Sequence, residues 1–311
     1  MKKIIALLMV LVLAVAIFVA CDNGETTPTE KDYTLAIGVV VNENLGSSKV
    51  DETVATIVTD ADGKIVLCRL DCVTYQAKYD DAGALVTTAP VSKYVQGDSY
   101  DSYSPMPAGR WYQQSGALEK YVVGKTQAEV ANVVSNGYAA DAELKASCSI
   151  AISDFVKAID NAFTSEHKVT FKSTATEFTA GLSIAGTVKD TASEDAKNAK
   201  YSADFAAAVL ADGKVVAAII DTAEIELKTI TEAGAASLSY AGTKREQGDS
   251  YDSYSPMPAG RWYQQVDAFA NTAVGKTASD IAGLATEGVA GCTIYSGGYK
   301  AVVEAAVKGA R

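Results

Sequence analysis

The chain carries one acidic and aromatic stretch twice, and its residue types favour either cation chemistry or molecular recognition. Residues Gln96 to Gln114 read QGDSYDSYSPMPAGRWYQQ, and residues Gln247 to Gln265 read the same. The acids Asp98 and Asp101 suggest a cation site or the paired carboxylates of a glycosidase. Loops of Asp, Ser and Tyr are more commonly solvated, and tyrosines in such loops suit recognition because they offer rigid contact area. The stretch therefore indicates a duplicated loop whose chemistry stays open at this point.

Residue counts and spacings exclude several other chemistries. His167 is the only histidine, which excludes His-based triads, His-rich metal sites and bis-histidine haem. The Gly-Lys-Thr sequences that begin at Gly124 and Gly275 lack the earlier glycine of a phosphate-binding loop, because Glu119 and Ala270 stand there. The chain has 27 Lys and Arg against 38 Asp and Glu. An acidic surface repels phosphate backbones, so nucleic acid is not expected as a partner.

The four cysteines beyond the N-terminal region are interpreted as small buried residues. Cys68 and Cys72 lie four positions apart on a predicted strand, which would separate them by about 13 Å. That distance is too long for a disulfide. Cys148 and Cys292 lie at matching positions in the two halves, and the sequence contains no CxxC motif.

The end of the second half carries the most specific motif. Residues Glu287 to Lys300 read EGVAGCTIYSGGYK. This segment resembles the signature of FMN-binding domains, an Asp-x-x-Ser-Gly-Ala-Thr pattern followed by a small-residue turn and a helix. Gly291 and Thr293 match that pattern, while Glu287, Ala290 and Cys292 replace its Asp, Ser and Ala.

The resemblance implies a covalent cofactor. In that family a flavin transferase joins the FMN phosphate to the hydroxyl of the final Thr. Thr293 is therefore the expected attachment residue, beside Gly291 and Cys292, and Ser149 is a poorer counterpart in the first half. A phosphoester needs an exposed hydroxyl in a turn where glycine lets backbone N–H groups approach the phosphate. Aromatic walls for the flavin ring are expected from Tyr100, Tyr103, Tyr251, Tyr254 and Tyr295.

Two functions are therefore left open. One is an electron carrier that bears FMN and works with a flavin transferase and a redox partner, the chemistry being that of the cofactor. The alternative is a non-catalytic surface module whose duplicated tyrosine loops bind a glycan, a peptide or a partner protein, with Thr293 an ordinary strand residue. In neither case is the chain expected to be an enzyme in its own right.

Each half is predicted to begin as an antiparallel meander. In the first half, apolar β-branched runs flank the turn Asp60-Ala-Asp-Gly63, and in the second half they flank Ala211-Asp-Gly213. A further hairpin is expected from Tyr75 to Thr88. The strands are predicted over residues 33–41, 53–58, 64–70, 178–188, 204–210 and 214–220.

Helices are predicted to follow the duplicated loop. Trp111 and Trp262 begin apolar stripes with helical spacing and are expected to be buried. Gly124 and Gly275 suit the ends of these helices, and Thr-x-x-acid sequences after them are typical of capping boxes. Each half is then predicted to close with a short strand, over residues 148–152 or 292–296, and a final helix.

The N-terminus is predicted to be a targeting segment. Lys2 and Lys3 precede an apolar run from Ile4 to Val19. The sequence Phe18-Val19-Ala20-Cys21 resembles the lipobox of bacterial lipoproteins, which implies that Cys21 is lipidated and anchors the protein outside the cytoplasm. The halves also resemble a group of bacterial lipoproteins with Gly-Asp-x-Tyr and Trp-Tyr-x-Gln repeats.

The fold class expected is α+β, with two similar tandem domains, each an antiparallel sheet with helices packed on one face. The offset between the duplicated stretches is 247 − 96 = 151 residues, about one domain length. The expected division is a signal peptide at 1–20, a tether at 21–31, domains at 32–163 and 177–311, and a linker at 164–176.

Overall fold

The computed structural model describes residues 29–87, 90–102, 107–253 and 258–311. The expected signal peptide, the lipidation site Cys21, and Tyr103 and Tyr254 of the duplicated loops lie outside these described residues. The fold is α+β and contains two four-stranded antiparallel sheets with helices packed against them, as the sequence predicts.

Within the described residues, the first half contains three long strands, two short strand pairs and five helices. Its strands are β1 (Lys31–Asn44), β2 (Lys49–Asp60), β3 (Ile65–Gln76), β4 (Lys78–Tyr79), β5 (Leu85–Val86), β6 (Val134–Ser135) and β7 (Tyr138–Ala139). Its helices are α1 (Lys93–Gln96), α2 (Trp111–Tyr121), α3 (Gln127–Val130), α4 (Ala142–Ser147) and α5 (Ser153–Thr164).

The remainder of the described chain supplies five strands and four helices. The strands are β8 (Val169–Ser173), β9 (Thr179–Asp190), β10 (Ala199–Ala211), β11 (Lys214–Thr231) and β12 (Gly234–Ser239). The helices are α6 (Lys244–Gln247), α7 (Trp262–Asn271), α8 (Ala278–Ile281) and α9 (Gly297–Lys308). Single 3-10 turns occur at Leu45–Ser47, Gly97–Ser99, Ala131–Val133 and Gly248–Ser250.

Each sheet contains the same three-stranded meander with a different fourth strand. The order is β3-β2-β1-β8 in the first sheet and β12-β11-β10-β9 in the second. The central hairpins turn at Gly63 and Gly213, both with φ of +73°, which is the conformation that the Asp-Gly signal predicts. Strand β8 lies in the range predicted as a linker, and it pairs with β1 from Lys31↔Ser173 to Leu35↔Val169.

The two sheets pack face to face, because their strands are apolar on both sides. On β2, Val50, Val54 and Val58 face the other sheet, while Ala55 and Ile57 face the helices. The inward residues of both sheets form one hydrophobic cluster. The rings of Tyr75 and Tyr201, one from each half, meet there with centroids 4.8 Å apart. The molecule is therefore layered as helices, sheet, sheet and helices.

The last helix of each half lies very close to its sheet at a glycine. A Cβ on Gly38 of β1 would overlap the main-chain oxygen of Ala158 in α5. A Cβ on Gly181 of β9 would overlap the main-chain oxygen of Ala306 in α9. These glycines let helix and sheet backbones approach closely, which is the use of glycine in strand interiors.

Most local predictions for the helices are confirmed. Trp111 and Trp262 are buried, with exposed fractions of 5% and 4%. Gly124 and Gly275 follow α2 and α7 with positive φ, and Thr126 and Thr277 form the capping boxes of α3 and α8. The four cysteines within the described residues are free and buried, as predicted.

Two predictions of local structure are wrong. Residues 148–152 and 292–296 form irregular segments rather than strands. Their main-chain N–H groups donate to a side-chain amide and not to a neighbouring strand. In the first half, Gln114 Oε1 accepts hydrogen bonds from Ser149 N and Ile150 N at 2.7 and 3.2 Å. His167, which lies in the range predicted as a linker, is half-buried and stacks on Tyr263 with ring centroids 4.1 Å apart.

Candidate functional site

The acids of the duplicated stretch hold the start of the following helix. Asp101 Oδ2 accepts a hydrogen bond from Trp111 N at 2.7 Å, and its other oxygen accepts from Arg110 Nη1 at 3.1 Å. Asp252 does the same for Trp262 N at 2.7 Å. Asp101 and Asp252 are almost completely buried, with 2% exposed. A carboxylate at a helix N-terminus satisfies its free N–H groups and opposes the helix dipole. Asp101 and Asp252 therefore make structural contacts at the start of α2 and α7.

The last glutamine of each duplicated stretch ties the loop to the segment expected to carry flavin. Gln114 and Gln265 are fully buried. Gln265 Nε2 donates to Gly260 O at 2.9 Å, and its Oε1 accepts from Thr293 N and Thr293 Oγ1 at 2.8 and 2.9 Å. Gln114 makes the matching bonds, with Ser149 Oγ donating to its Oε1 at 3.1 Å. The hydroxyls of Thr293 and Ser149 thus have equivalent structural partners.

The other residues of the expected flavin site are not gathered into a pocket. Gly291 has φ of +79° in an exposed turn, and Cys292 is buried with 7% exposed. Tyr251 packs edge-on against Trp262 with centroids 6.0 Å apart, whereas Tyr295 is 79% exposed. The described residues around Thr293 therefore form no aromatic pocket for a flavin ring. Covalent FMN on Thr293 or Ser149 stays a prediction.

The structure adds a residue that sequence reasoning missed, a lysine just before each duplicated stretch. Lys93 Nζ lies 5.0 Å from the ring centroid of Tyr100 and 5.7 Å from that of Trp111. Lys244 Nζ lies 4.8 Å from Tyr251 and 5.2 Å from Trp262. All four distances are typical of cation–π interactions. The signal was present in the sequence, because a Ser/Thr-Lys pair recurs at Ser92 and Thr243 with the same offset as the stretch.

The charge of the lysine in the second half is balanced by a carboxylate of the same half. Lys244 is 8% exposed and forms an ion pair of 3.2 Å with Glu224, which also pairs with Lys200 at 2.7 Å. Burial alone would lower the pKa of Lys244. The neighbouring Tyr299, Tyr251 and Glu224 outweigh it and raise the pKa above its usual range. The charge is therefore retained at neutral pH and is fully partnered.

The lysine of the first half, Lys93, lines a cavity instead. The pKa of Lys93 is also raised, because Cys72, Tyr100 and Asp51 outweigh the effect of burial, so its ammonium is charged at neutral pH. Within the part of the chain that the structure describes, Lys93 forms no ion pair. It lines a cavity of about 350 Å³. The other lining residues include Asn42, Asp51, Thr53, Trp111, Asp154 and Phe155.

A larger cavity of about 820 Å³ lies beside α2 and α4. Its buried carboxylate, Glu119, pairs with Arg69 at 3.4 Å and Arg311 at 2.8 Å. Burial raises the pKa of Glu119, although both arginines oppose the shift. The Arg311 guanidinium lies 3.8 Å from the ring centroid of Tyr94. The buried acid of this cavity is therefore already paired with two arginines of the protein.

Comparison with known chains does not assign the site. Among the described residues, no cluster of His, Cys, Asp and Glu is arranged to hold a metal ion, and no helix is long and apolar enough to cross a membrane. No protein-family model, curated protein or solved structure matches the chain.

Proposed function

We propose that the protein is a non-catalytic binding module that takes a small polar ligand into the cavity at Lys93. The cavity volume of about 350 Å³ lies within the range of small-molecule sites. Such sites combine aromatic walls with a few convergent polar groups. Trp111 and Phe155 supply the walls here, and Lys93, Asn42 and Thr53 supply the polar groups. The lipid anchor at Cys21 is part of this proposal and places the module outside the cytoplasm.

One contrast carries the proposal. Two lysines have the same aromatic neighbours, but among the described residues Lys244 forms an ion pair with Glu224 and Lys93 forms none. A half-buried charge without a partner is costly, and a ligand that supplies the partner gains the corresponding free energy. The first half is therefore suited to bind a ligand, and the second half has used its own acid for the same contact.

The groups around the cavity support binding over catalysis. Burial raises the pKa of the Cys72 thiol to about 12, so this cysteine is protonated and a poor nucleophile at neutral pH. Its Sγ also lies 3.2 Å from Thr53 Oγ1, within hydrogen-bond distance. Asp101 is occupied by the helix N-terminus. Neither Cys72 nor Asp101 is therefore available as an activated nucleophile or a general base in this cavity.

The test uses the full-length protein in detergent with a panel of sugars, organic acids and amino acids. Ligands are detected by the rise in melting temperature that binding to the native state produces. Lys93→Met is expected to abolish the rise, because methionine keeps the apolar stem and removes the charge. Lys244→Met is the matched control and should bind normally. A ligand that stabilises the wild type and both variants equally would contradict the proposed site, and so would a panel without any hit.

Covalent FMN on Thr293 is a second candidate, favoured by one observation. Thr293 is exposed and lies two residues after Gly291, whose left-handed backbone is the conformation that glycine permits in a tight turn. In this case the protein would act with a flavin transferase and a redox partner. A mass measurement that tests this candidate is described in the Discussion.

A further inference from the structure

The acids near the two lysines occupy different positions in the two halves. On the meander of the first half, Asp51 of β2 pairs with Thr74 of β3, and the matching pair in the second half is Ser202 with Glu224. The acid therefore lies on β2 in the first half, and in the second half it lies on β11, the counterpart of β3. From its position on β11, Glu224 reaches Lys244, whereas Asp51 forms its ion pair with Lys49 at 3.1 Å.

A second acid is present only on the cavity of the first half. Asp154 stands in the first turn of α5 and lines the cavity. Glycine, Gly298, stands at the matching place in α9. In the part of the chain that the structure describes, the Asp154 carboxylate forms no ion pair and accepts no hydrogen bond. The cavity at Lys93 therefore has a positive group and a negative group on its lining, and neither forms an ion pair among the described residues.

This separation of charge selects among ligands. A simple anion that contacts Lys93 would lie in the same cavity as Asp51 and Asp154 and be repelled by them. A simple cation that contacts Asp154 would be repelled by Lys93. A ligand with both charges matches both poles, which is how electrostatic complementarity produces specificity. Trp111, Phe155 and Ile150 also line the cavity, so an apolar part of the ligand would meet apolar surface there.

We propose that the cavity binds a small zwitterion, a free amino acid with an apolar side chain, whose carboxylate contacts Lys93 and whose ammonium group contacts Asp154. The inference rests on the proposed binding function and names its ligand class. The volume of about 350 Å³ accommodates one such molecule and is too small for a folded partner.

The experiment measures affinity calorimetrically with full-length protein in detergent. The probes are L-phenylalanine and L-leucine, then 3-phenylpropionate, which lacks the ammonium group, phenethylamine, which lacks the carboxylate, and glucose, which is neutral. Amino acids are expected to bind at least about tenfold more tightly than either phenyl analogue with a single charge, since each analogue lacks one hydrogen bond between charged groups.

Variants test the proposed contacts of Lys93 and Asp154 with the ligand. Lys93→Met is expected to reduce amino-acid affinity at least tenfold, and Asp154→Asn to reduce it while leaving 3-phenylpropionate binding unchanged or improved. Lys244→Met is the control and should bind as the wild type does. Melting temperatures without ligand establish that each variant is folded, and Asp154→Asn changes only an exposed side chain.

The outcomes separate this inference from the broader proposal. Binding of glucose or 3-phenylpropionate that depends on Lys93, without binding of amino acids, would overturn the zwitterion and leave the binding function standing. Equal affinity for phenylalanine and 3-phenylpropionate would show a simple anion site. If no probe and no member of the wider panel binds in a manner that depends on Lys93, both proposals fail.

Discussion

Gln265 and Thr293, which are 28 residues apart in the chain, are joined by two hydrogen bonds to a single side-chain oxygen. Because Gln265 also donates to Gly260 O, it fixes the base of the duplicated loop to the segment before α9. Gln114 does the same in the first half with Ser149 and Gly109. This shared contact gives a physical reason for the identity of the two stretches at their final residue.

The glutamine contact predicts a loss of stability in each half. Gln265→Ala and Gln114→Ala are each expected to lower the free energy of unfolding by about 1–3 kcal/mol, because buried N–H and C=O groups lose their partners. Gln113→Ala is the control. Gln113 is exposed and bonds only to the N-terminus of α2, so a smaller loss is expected. Urea denaturation measures the three values, and equal losses would contradict the structural role of the buried amide.

The flavin candidate predicts one added mass on the second half. After co-expression with a flavin transferase, intact-mass measurement should show one flavin-sized increment, lost in Thr293→Val and kept in Ser149→Ala. The reason for this asymmetry is that Gly291 lies beside Thr293, while Ser147 stands at the matching place before Ser149. A control substrate must be flavinylated in the same cells. An unmodified wild-type chain would then remove this candidate and leave the binding proposal unaffected.

Local signals predicted the hairpins and helix caps, because a two-residue turn or a capping box is decided by neighbouring residues. The contacts that define the candidate sites join distant residues and had no such signal. Lys93 lies over rings that are 7 and 18 positions later (100 − 93 and 111 − 93). Glu52 lies on the same face of β2 as Val50 and Val54, and no local sequence signal shows that this face meets a second sheet. Sequence reasoning therefore recovered the fold class and missed the lysine and the buried acid.

The buried acid predicts that stability falls as pH rises. Glu52 is fully buried between the sheets, and neither of its carboxyl oxygens has a hydrogen-bond partner among the described residues. Burial raises its pKa from 4.5 to about 8. Between these values the folded state holds a proton that the unfolded state has released. The contribution of Glu52 to the free energy of unfolding is thus largest below pH 4.5. It decreases by up to about 1.4 kcal/mol per pH unit towards pH 8.

Glu52→Gln isolates this effect. The variant should lose most of the pH dependence between pH 6 and 8 and be more stable than the wild type at pH 8. Asp71 and Asp221, whose pKa values burial raises to about 6, contribute in the same direction at lower pH. Glu43→Gln on the exposed end of β1 is the control and should keep the wild-type slope. A wild-type stability that rises from pH 6 to 8 would show that Glu52 is ionised in the folded protein.

The close approach of α9 to β9 predicts that alanine is not tolerated at Gly181. The added methyl group would overlap the main-chain oxygen of Ala306, so the helix must move away from the sheet. Gly181→Ala is therefore expected to lower the free energy of unfolding by about 1–3 kcal/mol, the usual cost of overpacking. Gly38→Ala should have the same effect in the first half, where the methyl group would overlap the oxygen of Ala158.

Gly116→Ala is the matched control for both substitutions. Gly116 lies within α2, and a Cβ there would meet no atom within 4 Å. Alanine is favoured over glycine in a helix interior, so this variant should gain about 0.5–1 kcal/mol. Guanidinium denaturation of the three variants compares the values directly. If Gly181→Ala proved as stable as Gly116→Ala, the backbone of α9 would have to lie farther from β9 than the structure places it.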